Sequence, residues 1–164
     1  MALHEQSVGA SDERYTPPHV FEALGCTFDM DVASPGRDIT PWISATVYIT
    51  ADSLCKTWDG FIWCNPPFGP RNGIAPWLAK FFDHGNGIAL TPDRTSAPWW
   101  QQFAPKADGI LFVSPKLKFI GASGLPGSSP AQGTCLMGIG DRAVEPLLRA
   151  AAKGLGILLT SFPP

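Results

Sequence analysis

Metal and disulfide chemistry have little to draw on in this chain. Its three histidines, His4, His19 and His84, are scattered, and its four cysteines, Cys26, Cys55, Cys64 and Cys135, form no CxxC pair. That pattern suggests neither a zinc site nor a disulfide framework, so no metal is expected and buried reduced thiols are. No run approaches the ~20 apolar residues needed to span a bilayer. Residues 1–10 lack both a basic start and an apolar stretch, so no signal peptide is read and a cytoplasmic location is expected. Charge is sparse as well: 16% of residues are charged and the net charge is −2, which argues against a surface coated in basic groups for sequence-blind nucleic-acid binding. There is no internal repeat, and 164 residues at 45% hydrophobic content suit a single domain with a real core.

What the chain does contain is an apolar run, Phe61-Ile62-Trp63-Cys64, that stops at Asn65-Pro66-Pro67-Phe68. The prolines lock φ and remove two backbone donors, which leaves the carbonyls of Asn65 and Pro66 and the Asn65 side-chain oxygen as fixed acceptors at a strand's carboxyl end. A primary amine placed there donates both hydrogens to them while its lone pair points elsewhere, and Phe68 offers a flat face to the ring carrying that amine. This is chemistry suited to methylating an exocyclic amino group. The bland alternative is an X-Pro-Pro loop of polyproline character. Against it stands the strand in front, because ligands of open α/β sheets bind beyond the carboxyl ends of strands.

The net charge conceals an asymmetry. Three Lys and Arg accompany nine Asp and Glu through Cys64, whereas nine accompany five from Asn65 onward. Arg71, Arg94, Lys116 and Lys118 in the basic half are candidates for contacting a phosphate backbone, with solvated surface charge as the alternative for each.

Residues 1–13 read as a mobile start and 14–164 as one domain. Thr16 is placed to cap a helix opening at Pro17 and Pro18 and ending at Gly25. Strands are expected at 27–31, 46–50, 61–64, 87–90, 109–113, 116–120, 134–139 and 157–160. Ile74, Trp77, Leu78, Phe81 and Phe82 carry helical spacing with Gly85 as cap; Ser96 is expected to cap a helix through Trp99, Trp100 and Phe103, and a last helix spans about 142–153. The Gly, Ser and Pro content of 121–133 predicts a flexible loop. This alternation implies an α/β fold with a largely parallel sheet covered on both faces.

Three blocks together carry a resemblance: Tyr15-Thr16-Pro17-Pro18, Phe28-Asp29-Met30-Asp31-Val32-Ala33, and the stretch from Trp58 to Phe68. In order and approximate spacing the chain resembles the phage-type DNA N-6-adenine methyltransferases, the small Dam-like enzymes of phages and prophages. Thr91-Pro92-Asp93-Arg94-Thr95 and Lys116-Leu117-Lys118-Phe119 are similar to later family blocks. The resemblance implies an abbreviated, single-domain Rossmann-like sheet, S-adenosylmethionine as cofactor, DNA as partner and, for a phage-encoded enzyme, the bacterial host cytoplasm. Asn65, Pro66, Pro67 and Phe68 would then be catalytic. Thr16 and Pro17 would lie against the cofactor, Asp31 and Ala33 would hold its amino group or ribose hydroxyls, and Asp52 would serve the next strand end.

The chain departs from such enzymes in its loops. A glycine-rich loop usually follows the first strand, yet here only Gly36 appears, after Ser34 and Pro35. Only 34 positions separate Asp31 from Asn65, too few for two strand-helix units. The cofactor pocket must be abbreviated, with a homodimer or bound DNA available to complete it. Asn-Pro-Pro-aromatic also serves methylation of RNA guanine or protein glutamine, and the missing glycines suit a noncatalytic DNA-binding or cofactor-binding relic.

Overall fold

Among the described residues, the short β-branched and aromatic runs assemble into one seven-stranded sheet. In the computed structural model, residues 14–69 and 73–161 are described, so residues 1–13 and Arg71 lie outside the described residues. In chain order the elements are α1 (Pro18–Leu24), β1 (Phe28–Asp31), β2 (Ala45–Tyr48), β3 (Ile62–Cys64), α2 (Ala75–His84), β4 (Gly87–Pro92), α3 (Pro98–Phe103), β5 (Gly109–Val113), β6 (Thr134–Ile139), α4 (Val144–Ala152) and β7 (Gly156–Thr160), with single 3-10 turns at Ser53–Cys55 and Ala104–Lys106. The strand order is β2-β1-β3-β4-β6-β5-β7.

Both faces of the sheet are covered, as the alternation of strands and helices implied. Phe61 and Trp63 pack with α1 and α4, while Ile62 and Cys64 point to α2 and α3. Each of these side chains is at most 1% exposed, and fully burying one contributes roughly 1.5–3 kcal/mol. The strand that leads into Asn65 is therefore held from both sides. Its start is clamped too. The Asp29 carboxylate accepts the Phe61 N–H at 2.6 Å and the Arg142 guanidinium at 2.9 Å. Those bonds, the Phe61 amide first, hold Asp29 below its ordinary carboxylate range. Gly60 precedes this clamp at φ +70°, and any side chain there would run into Asp29.

The sheet is not largely parallel. β2, β1, β3 and β4 pair in parallel, but β6 runs antiparallel to both β4 and β5, and β7 antiparallel to β5. The cause is the connection from β5 to β6, which contains no helix. A helical crossover brings the next strand back parallel, whereas this segment lets β6 return in the opposite direction between β4 and β5.

The strand expected at 116–120 does not form. Leu117 and Phe119 are buried and Lys116 and Lys118 exposed, so the alternation is real, but Ile120 alone makes isolated bridges, to Tyr15 and Pro126. An inward-outward pattern without a neighbouring ladder is a strap across the core. Two expected caps are absent as well. Pro17 occupies the cap position of α1, which sets Thr16 one residue too early, and Ala97 rather than Ser96 precedes α3. Of the four thiols, Cys64 and Cys135 are buried, whereas Cys55 is exposed and Cys26 half-buried. Among the described residues no helix is long and apolar enough to cross a membrane.

Candidate active site

From β1 the chain moves to β2 on one side of it, whereas β3 and β4 lie on the other side. Adjacent strands whose onward connections diverge leave a crevice at their carboxyl ends, the usual ligand position in open α/β sheets. Here those ends carry Asp31 on β1 and Asn65 just beyond β3. A cavity of about 920 Å³ opens between and above them. Its lining includes Thr16, Asp31, Ala33 and Ser34, then Asn65, Pro66, Pro67 and Phe68, and also Ile74, Trp99, Phe119 and Thr134. Segments from Arg14 to Thr134 thus meet in one hollow.

The orientation of Asn65 is set by a residue 51 positions away. Its Nδ2 donates to the Arg14 carbonyl at 3.0 Å, which uses the donor half of the amide on the protein. Oδ1 is left as an acceptor and receives no hydrogen bond from the described residues. Arg14 is itself positioned by the strap, because the Tyr15 N–H donates to the Ile120 carbonyl and the Ile120 N–H to the Tyr15 carbonyl, both at 2.9 Å. Phe68 is half-buried and meets Phe119 edge to face, with ring centroids 6.5 Å apart and planes at 87°. Pro66 is buried and Pro67 exposed. Trp63 and Trp99 reach the cavity wall from the core, whereas the neighbouring core residue Trp100 does not line it.

Asp31 is 1% exposed. One carboxylate oxygen accepts the Ala33 N–H at 3.3 Å, and no described cation forms an ion pair with it. Burial pushes its carboxyl up to about 6, while the Ala33 amide and the Ser34 hydroxyl pull the other way. An ordinary turn aspartate sits in water. A carboxyl group buried beside a cavity, with spare acceptor capacity and no cation, suits a ligand that supplies hydrogen-bond donors or positive charge.

Thr16 is fully buried, and its carbonyl accepts the Trp42 Nε1–H at 2.9 Å. Its hydroxyl has no partner among the described residues. Two other expected residues are not brought to the cavity. Pro17 is buried at the start of α1 without lining it. Asp52 is exposed at φ +53° and lines a separate hollow of about 460 Å³ that shares Ala33, Ser34 and Pro67 with the first. Sequence reasoning in turn missed Arg14, Thr134 and the placement of Phe119, each brought in by contacts distant in sequence.

A mixed α/β sheet with a ligand crevice at a switch of strand order is the class that fold and site define. The model of the DNA N-6-adenine-methyltransferase (Dam) family matches residues 5–141, and the chain belongs to that family. Comparison with curated proteins and with solved structures finds no match.

Proposed function

We propose that the chain is an S-adenosylmethionine-dependent, site-specific DNA methyltransferase acting on adenine N6, of phage or prophage type, built on an abbreviated Rossmann-like sheet. The observation that carries this reading is the Asn65 amide, whose donor half is tied to Arg14 and whose acceptor half is free at the cavity. The Arg14 bond leaves a fixed acceptor next to a buried carboxyl group that has no cation of its own.

The residues present fit the cofactor. Asp31 has acceptor capacity for amino or hydroxyl groups, the Thr16 hydroxyl lacks a partner, and Ala33 lies at the shared wall of the two hollows. When bound, S-adenosylmethionine supplies an electrophilic methyl group on a sulfonium. A cavity of about 920 Å³ lies near the upper end of ligand pockets, room enough for an extruded base beside a nucleoside.

The target adenine must leave the duplex, because its amino nitrogen is not reachable while stacked and paired. Phe68 stacks on it. Asn65 Oδ1 and the Pro66 carbonyl accept the two N6 hydrogens and draw the nitrogen out of conjugation, which frees its lone pair toward the Asp31 flank. No base is needed first, and the excess proton leaves to water after transfer.

The charged residues at the cavity suit a nucleic acid above and a cofactor below. Arg14 and Arg94 line it, and Asp31 is the one acidic residue in its described lining. Lys116 and Lys118 are exposed on the strap, with Lys116 Nζ bonded to the Ala131 carbonyl at 2.9 Å. Removing Arg94, Lys116 or Lys118 is expected to weaken binding to all DNA sequences alike. Each lost phosphate contact lowers the slope of log affinity against log salt by roughly one unit. Titrations at two salts on two sequences test this, and parental slopes in all three variants would move the DNA path elsewhere.

The function itself is tested by offering methyl-labelled S-adenosylmethionine with DNA, RNA and protein in parallel and mapping the product. N6-methyladenine at defined DNA sequences is expected. Label confined to RNA or protein overturns the substrate, and cofactor binding without turnover on any of them overturns catalysis.

A further inference from the structure

Among the described residues, two buried side-chain polar atoms lack any hydrogen-bond partner: the hydroxyls of Thr16 and Thr134. Both residues line the same cavity. Buried polar groups are nearly always paired, and an unpaired one is costly, so two orphans around one hollow mark places where a ligand's polar atoms belong. Thr16 stands on the Asp31 flank. Thr134 stands on the opposite one.

Strand order decides which ligand Thr134 faces. It opens β6, two strands from β3 and three from β1. With neighbouring strands ~4.8 Å apart, it lies roughly 10 Å laterally from the strand bearing Asn65 and roughly 14 Å from that bearing Asp31. Phe68 and Phe119, which meet edge to face, and Trp99 line the same cavity, and in the reading above the extruded base stacks on Phe68 beside Asn65. On that reading Thr134 faces the base and not the cofactor.

No described neighbour serves the Thr134 hydroxyl. Its strand partner is Pro92, which has no N–H, and the Thr91 hydroxyl already pairs with Cys135 Sγ at 3.1 Å. On its other side Gly133 packs so closely on the Asp93 carboxylate that any side chain at 133 would collide with it. A valine would fill the place of Thr134 equally well. A 120° rotation about χ1 carries the hydroxyl into another of the three staggered positions on Cβ, so turning it toward a ligand in the cavity needs no movement of the backbone.

We propose that Thr134 is a specificity-determining residue whose hydroxyl donates to a ring nitrogen of the extruded adenine while Asn65 holds its amino group. This rests on the methyltransferase reading above. A base lacking an acceptor at that edge leaves the hydroxyl unpaired in the complex, which is how a buried donor rejects an analogue.

The test pairs Thr134→Val and Thr134→Ser with DNA carrying adenine or its 1-deaza, 3-deaza or 7-deaza analogue at the mapped position. Expected for Thr134→Val is a fall in kcat/KM on adenine DNA of roughly tenfold or more, unchanged cofactor affinity, a thermal midpoint equal to or above the parent's, and rescue by Thr134→Ser. One deaza analogue should depress the parent by a similar factor and leave Thr134→Val no slower than it already is. Valine activity within twofold of the parent overturns the proposal. So does weakened cofactor affinity, or a thermal midpoint several degrees lower, since these assign the hydroxyl to the cofactor or to the fold. Absence of transfer to DNA adenine by the parent defeats the functional reading, and this proposal with it.

Discussion

Asn65→Ala is expected to lower the single-turnover rate of methyl transfer by on the order of 10²–10³-fold, the scale set by removing one fixed polar group from a reacting centre. Cofactor affinity should stay within about threefold of the parent's. Stability should fall by only about 1 kcal/mol, because the side chain is half-buried and gives up a single bond, to the Arg14 carbonyl. Asn65→Asp separates this account from a simpler one. A carboxylate is the stronger acceptor, so on sequence grounds aspartate should improve the site. In the structure the same change sets an oxygen against the Arg14 carbonyl where Nδ2 now donates at 3.0 Å. Asn65→Asp is therefore expected to be slower than the parent at neutral pH and to recover in part as the pH falls, since the protonated acid donates to Arg14 again. Rapid-quench measurements from pH 5 to 8 decide it, and an aspartate variant faster than the parent throughout would remove Arg14 from the account.

Asp31→Asn is expected to make the free protein more stable and the enzyme worse. An aspartate in the unfolded chain titrates near ~3.9, whereas in the fold burial holds Asp31 at about 6. Between those values the folded state binds more protons than the unfolded one. Its contribution to stability is thus fully present below about pH 4, is lost as the pH rises through about 6, and stays lost above. The difference amounts to about 3 kcal/mol at most. Asparagine retains an oxygen for the Ala33 N–H and carries no charge to desolvate. Denaturation at pH 7.5 should show the variant more stable than the parent, with the gap closing toward pH 4.5. Cofactor affinity should fall about 10–100-fold at pH 7.5 through loss of charge-assisted hydrogen bonds. The parent's cofactor affinity should also weaken below pH 6, where the carboxyl is protonated, and the variant's should lack that dependence. Unchanged cofactor affinity at pH 7.5 would return Asp31 to the role of a turn residue.

Elements whose signal lies within one turn of helix or one strand were legible. The stripe from Ile74 to Phe82 became α2, and the apolar run before Asn-Pro-Pro became β3, because periodicity and proline chemistry act over a few residues. The strap at 116–120 was misread for the same reason. Its alternation is local, but being a strand depends on a partner ladder. Thr16 and Ser96 resembled helix caps by residue type, yet a cap works at one position only, and the prolines that follow each of them shifted the helix starts.

By itself the sequence determined that acceptors stand at a strand end, that an aromatic ring follows them, and that helices alternate with strands to cover a sheet. The tertiary structure alone decided that Asp31 is buried and Asp52 exposed, although one ends a strand and the other stands shortly after one. It also decided that Arg14 orients Asn65, that β6 runs backward between β4 and β5, and that Thr134 thereby reaches the cavity from the far side of the sheet. The reason is physical. Backbone conformation and side-chain periodicity are set by neighbours along the chain, whereas desolvation, pairing partners and the empty space left for a ligand depend on which distant segments pack together.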